Sequence, residues 1–356
     1  MSLSAQQSGS EVRDRGERLL FPDLLRSLAI YLVVGLHTLG GVIVKGSLLE
    51  TPLWNICNVL NLLGRMGVPL FFMISGFLLL SDPRTADPLP FYRRRLSRLL
   101  LPFLFWDVVC FVLRGLMEEG RGFGLKLFLT ELVQQGSDYH LWFIYQIAAL
   151  YLLAPFLRMI VERASRKSLW VLLGVILFVP SVLRLVNILQ SFLWFAPFRA
   201  PMEGYAGFFL LGYLLGTGEY APRTRHIVCG LGILALAAAA LGNRLLSWPG
   251  QMNLYFSEGY ALNHYFTAGA CFLLLRDAPL PGEGRLAGAA KGLAGISFGV
   301  YFCHVPLLRL YASLLPRWGI PADTFLYLLC LFCLTAASAT LAAWIFSRLP
   351  VLKKLV

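Results

Sequence analysis

The sequence predicts an all-α, polytopic membrane protein: a helical bundle of about ten transmembrane helices with both termini in the cytoplasm. Composition is the first reason. Hydrophobic residues make up 58% of the 356 and charged residues only 14%, and mean hydropathy is +0.69. A chain so poor in polar groups cannot cover a water-facing surface. The second reason is that apolar runs of about 18 residues or more, enough to span a hydrocarbon core, recur along the whole length. The third is charge placement. The net charge of +12 sits in short Lys/Arg clusters between apolar runs, which is a topology signal and not the basic face of a nucleic-acid-binding protein. Nucleic acid is therefore not expected as a partner.

The ten predicted spans run 24–44, 56–80, 96–117, 141–161, 169–189, 205–218, 227–246, 260–275, 293–310 and 324–346. The sixth and eighth are short. With the N terminus inside, 20 of the 31 Lys and Arg fall in inner segments and six in outer ones, which sets the orientation. Residues 1–20 form a polar cytoplasmic arm carrying Arg13, Arg15 and Arg18, residues 21–348 the membrane domain, and residues 349–356 a cytoplasmic tail. The first span is too long for a signal-peptide core and lacks a small-residue cleavage site. No internal repeat is visible, which disfavours a transporter built from inverted halves. Most of the seven cysteines lie in apolar runs and read as packing residues. Cys330 and Cys333 have the spacing of a redox or zinc pair but no second pair nearby. No metal is expected.

Ionisable residues inside spans carry the chemical signal, because burying them in lipid is costly. The first span, FPDLLRSLAIYLVVGLH, holds Arg26 and His37. Eleven steps of about 100° complete roughly three turns, so both share one helical face, about 16 Å apart along the axis. Arg26 at the inner mouth is a phosphate-binding group or a snorkelling cation, and His37 at depth is a general base or a bonded packing residue. Arg65, in the outer part of the second span, either snorkels outward or faces a cavity as a charge stabiliser. In FYRRRLSRLL the spacing Arg95-x-x-Arg98 puts two guanidinium groups on one face, suited to a phosphorylated ligand or to lipid headgroups. HLWFIY opens the fourth span. Trp142 and Tyr145 fit an interfacial aromatic belt, while Tyr139 and His140 are candidates for an acceptor pocket. SFGVYFCH places Ser297, Tyr301 and His304 on one face, with a second deep histidine. Glu203 opens the sixth span from outside and reads as interfacial.

At these residues the chain resembles acyltransferase family 3, the integral-membrane O-acyltransferases. The resemblance runs from about Phe21 to Arg309. It takes in D-x-x-R-x10-H (Asp23, Arg26, His37), the P-L-F-F-x-I-S-G-F stretch ending at Phe77 and the arginine-rich loop through Arg98. It continues with H-L-W-F-x-Y from His140, F-x-L-G-Y-L-L from Phe209 and S-x-x-x-Y-x-x-H ending at His304. The resemblance implies a multi-pass enzyme of the bacterial inner membrane that uses acyl-CoA, most simply acetyl-CoA, as co-substrate. The acceptor would be a hydroxyl of a glycan or lipid-linked sugar. It further implies that His37 acts in acyl transfer and that Arg26, Arg95 and Arg98 bind the acyl-CoA donor. Arg65, His140, Trp142, Tyr145, Tyr301 and His304 are left as acceptor or transition-state contacts. Membrane lipids are the remaining partner, and a homo-oligomer stays open. The rival reading is a transporter or flippase for a glycan or lipid-linked intermediate, in which intramembrane His and Arg bind a substrate without covalent change.

Overall fold

A computed structural model describes residues 19–118, 120, 122–177, 205–259, 261–280 and 283–356. The arginines of the N-terminal arm, the latter part of the fifth predicted span and Glu203 lie outside the described residues. Among the described residues twelve helices follow in order: α1 Leu20–Ile43, α2 Pro52–Gly64, α3 Gly67–Ser81, α4 Pro88–Met117, α5 Leu125–Gln134 and α6 Trp142–Arg163, then α7 over 166–177. After these come α8 Tyr205–Thr217, α9 Pro222–Leu245, α10 Leu262–Asp277, α11 Arg285–Arg317 and α12 Phe325–Arg348. Among the described residues the one extended pairing is an isolated bridge between Trp248 and Gln251.

Among the described residues seven helical spans are long and apolar enough to cross a membrane: α1, α2 with α3 as one broken span, α4, α6, α9, α11 and α12. Two further predicted spans coincide with the shorter α8, of 13 residues, and α10, of 16. The fifth begins as α7. Polar links group the connections after α1, α9 and α11 at one end of the bundle, since Lys45 pairs with Asp323 at 2.6 Å and Arg244 with Glu50 at 2.6 Å. We call this the Lys45 end, and the opposite one, where α1 begins, the Arg26 end.

The core gathers around α1, which packs against α2, α3, α10, α11 and α12. Beside it α3 and α8 approach backbone to backbone. A side chain at Gly76 would strike the Phe209 carbonyl, and one at Gly212 the carbonyl of Met73. Small residues permit such close approach where lipid supplies no hydrophobic drive between helices. Phe208 then stacks on Tyr265 with centroids 3.8 Å apart. By contrast α9 buries only Gly232, Ala239 and Asn243 and turns Leu231, Ile233, Leu234 and Leu241 outward. In a bilayer, lipid tails cover that face. Asn243 fixes it to the core through bonds to Asn58 at 3.1 Å and Ser257 at 2.9 Å.

Two features were not anticipated. The predicted outer loop after α4 contains α5, whose Phe128 packs on Phe111 while Leu125, Leu129 and Val133 remain exposed. The segment assigned as a tail instead folds back: Trp106, flanked by Phe302 and Phe346, donates its indole N–H to the Leu355 carbonyl at 2.9 Å, and Val356 abuts Gly299.

Candidate active site

His37 lies nearly two turns from the end of α1 and is only partly buried, although rings surround it. Its centroid is 5.1 Å from Tyr139 and 5.3 Å from His304. His304 on α11 is in turn 5.2 Å from His140, which stands at the start of α6 and 5.4 Å from Tyr301. Three histidines from three separate elements thus share one site. Tyr139 is 47% exposed, so the cluster is open to the surroundings beside His37.

Hydrogen bonding fixes the chemistry of two of these rings. The Tyr301 hydroxyl donates to the His140 carbonyl. His304 Nδ1 bonds the Tyr301 carbonyl. A carbonyl only accepts, so Nδ1 carries the proton and the neutral ring's lone pair resides on Nε2. That Nε2 is buried and has no partner, and neither has either ring nitrogen of His140.

The loop that presents Tyr139 and His140 is held by charge. Asp107 accepts from the Ser137 N–H at 2.6 Å, and Arg114 donates to the Ser137 carbonyl at 2.6 Å and to Glu118. Arg309, one helical turn and more beyond His304, spans Glu118 at 2.7 Å and Asp138 at 2.8 Å. Asp138 Oδ1 also lies 3.9 Å from His140 Nδ1, an electrostatic contact too long for a hydrogen bond. Burial would raise the Asp138 pKa, but His140, Arg309 and the Tyr139 N–H outweigh it and hold the carboxyl below its ordinary value. At the exposed end of the network, hydrogen bonding by Arg114, opposed by burial and helped by Arg309, pulls Glu118 down to about 2.

On the Arg26 side, half-buried Arg26 lines a cavity of about 220 Å³ with Ser75, Leu99, Tyr151, Ser297 and Tyr301. Tyr301 also touches the histidine cluster, so this cavity leads toward it. Arg65 sits on the other side. It occupies the break between α2 and α3, close to the middle of the 30-residue span Pro52–Ser81. Gly67 lets the break press on α1, since a Cβ there would lie 2.7 Å from the Ala29 carbonyl oxygen. Pro69, in the first turn of α3, has no N–H to leave unsatisfied at the break. Arg65 keeps an unpartnered buried Nε, acts electrostatically on His37 and His264, and lines a second cavity, of about 350 Å³, with Asn253, Tyr255 and Glu258.

Of the residues singled out in the sequence, His37, Tyr139, His140, Tyr301 and His304 come together, and Arg26 and Arg65 flank them. Half-buried Arg95 and exposed Arg98 lie near the start of α4. Arg98 adjoins the cavity-lining Leu99, but neither arginine lines that cavity. Trp142 packs on Tyr205, and Tyr145 packs on Phe103 and donates to the Leu132 carbonyl; neither joins the histidines. Asp138 and Arg309 were not singled out. The rule that charges within a span are functional would have flagged Arg309. Among the described residues no group of three or more His, Cys, Asp or Glu could hold a metal ion.

The model of an acyltransferase domain family, acyltransferase family 3, matches residues 19–344. The chain belongs to this family. No curated protein and no solved structure matches the chain. As a member of acyltransferase family 3 it is a multi-pass membrane protein and a transferase of acyl groups, with a donor and an acceptor to accommodate. The matched residues include every helix that supplies the cluster, so the histidines belong to the acyltransferase domain itself.

Proposed function

We propose that this acyltransferase moves an acetyl group from acetyl-CoA to a hydroxyl of a glycan or lipid-linked sugar, with His37 as the catalytic base. The observation that carries the reading is the place of His37. It is a partly accessible imidazole beside the half-exposed Tyr139, in a cluster joined through Tyr301 to the Arg26 cavity and within the electrostatic reach of Arg65. The donor's pantetheine arm enters from the Arg26 end, and the acceptor approaches from the opposite one. His37 draws off the hydroxyl proton as the oxygen attacks the thioester carbon. Negative charge grows on the carbonyl oxygen, and the Arg65 guanidinium is the group to stabilise it. The C–S bond then breaks and the thiolate leaves with its electron pair toward the Arg26 end. Arg95 and Arg98 hold the donor's phosphates outside the cavity, beyond Leu99.

This reading sets the Arg26 end in the cytoplasm of a bacterial cell, at its inner membrane, as the 20-to-6 bias of Lys and Arg directs. An impermeant thiol reagent should then label Lys45→Cys and Lys354→Cys from opposite sides. The deciding experiment incubates purified protein with acetyl-labelled acetyl-CoA and sugar acceptors, reading free thiol and label transfer. Absence of both sinks the proposal. In the same preparation, the Arg95→Ala/Arg98→Ala variant should bind CoA more weakly, and unchanged equilibrium binding would remove these residues from the donor site.

A further inference from the structure

The reaction requires one histidine, and the structure holds three together. His304 and His140 are fully or almost fully buried, with 0% and 2% exposure, so a sugar hydroxyl has no direct access to them as it has to His37. Yet three of their ring nitrogens lack a partner, whereas buried polar groups in proteins are nearly always bonded. A packing role would be served by phenylalanine, which the surrounding helices use freely. The order of the rings is also informative. His37 is followed by His304 at 5.3 Å and His140 at 5.2 Å between centroids, and then Asp138 lies 3.9 Å from His140. Such spacings leave neighbouring ring nitrogens within reach of a direct bond or a single bridging water.

We propose that His304, His140 and Asp138 form a proton relay that empties His37 during acyl transfer. This rests on the reading of His37 as the base. His37 takes the hydroxyl proton as the C–O bond forms and the thioester C–S bond breaks. Its other nitrogen releases a proton to His304 Nε2, whose lone pair faces inward because Nδ1–H is committed to the Tyr301 carbonyl. His304 then passes that Nε2 proton on to a ring nitrogen of His140, keeps Nδ1–H on the Tyr301 carbonyl and so recovers its starting tautomer. His140 discharges to Asp138, and from there the proton reaches water at the Tyr139 opening. The CoA thiolate takes its own proton from water at the Arg26 end, so protons balance. The charged and titratable groups facing the relay are Arg65 from the α2–α3 break, Tyr139 and Asp138 from the α5–α6 loop, and Tyr301 and Arg309 from α11. His304 and His140 are thus positioning and relay groups, not contacts to substrate.

The test compares full-length wild type with His304→Asn, whose side-chain amide N–H can replace Nδ1–H at the Tyr301 carbonyl while offering no base. Acetyl-CoA is the donor and N-acetylglucosamine the acceptor probe, with thiol release as the signal. The relay predicts that kcat falls about tenfold or more, KM for acetyl-CoA holds, the kcat–pH profile moves and the solvent deuterium isotope effect grows. His140→Gln should do the same. The His304→Asn/His140→Gln double variant should be no slower than either single variant, because links in one chain are not additive. Should His304→Asn melt abnormally, His140→Gln carries the comparison. Undiminished kcat in folded single variants, or losses that multiply in the double, overturns the relay and leaves the His37 reading standing. A wild type that releases no thiol overturns both.

Discussion

Replacing Arg309 by methionine removes a charge while keeping most of the side-chain volume, and its cost can be worked from the two carboxylates it holds. Asp138 has a 1% exposed side chain. Stripping the partner from a buried charge costs about 3–5 kcal/mol, and the lower end applies because Arg309 is itself 25% exposed and His140 remains nearby. Glu118 is 38% exposed and keeps Arg114, so its share is below about 1 kcal/mol. The sum is about 3 kcal/mol. For a chain of this size each kcal/mol moves the melting temperature by about 2–4 °C or somewhat less, which gives a drop of roughly 5–10 °C. Melting of detergent-solubilised protein, followed by its monodisperse fraction on size exclusion, reads this directly. The sharper measure is the cycle with Asp138→Asn. If the pair is real, Arg309→Met/Asp138→Asn should be more stable than the summed single losses predict, by about 2–3 kcal/mol. Strict additivity would refute the pairing and with it the account of how the His140 loop is held.

Three other outcomes follow from the geometry. His37→Ala should reach the membrane folded yet lose acyl transfer by about 10²–10⁴, whereas His226→Ala, exposed at the start of α9, should be near wild type in the same thiol-release assay. Gly76→Ala drives a methyl into the Phe209 carbonyl; overpacking of this kind costs about 1–3 kcal/mol or more, visible as lost expression and melting temperature. Asp138 and Glu118 both have pKa values held below normal. Such groups add stability above their unfolded pKa and lose it as pH falls through the folded one. Acid melting should therefore steepen from about pH 4.5, the ordinary value of Glu118, down toward about 2, and Glu118→Gln should flatten that part of the curve.

Much of this was legible before any coordinates. Hydropathy and charge placement marked every helix of the bundle core, and three turns of helix between Arg26 and His37 put them on one side of α1. What the sequence conceals is which side chains meet across elements. His37, His140 and His304 are separated by more than a hundred residues each, and no local period relates them. The α2–α3 break was foreshadowed by Gly64, Gly67 and Pro69 around Arg65, each poorly suited to a helix interior. The helix α5 had a signal too, since Leu125, Phe128, Leu129 and Leu132 recur at helical spacing, but it sits between spans where loops are expected. Trp142 and Tyr145 illustrate the converse: aromatics next in sequence to a candidate site histidine can serve packing alone.

The returning segment after α12 bears on how the molecule is made. The Trp106 indole finds its acceptor at Leu355, about 250 residues later in the chain. Until that strip has been made, the buried Trp106 indole N–H on α4 lacks the acceptor it has in the finished molecule. Maturation therefore cannot finish during insertion of the spans. It ends in a late closing step, and Trp106→Phe, which removes the indole donor, would weaken that step while leaving the histidines untouched.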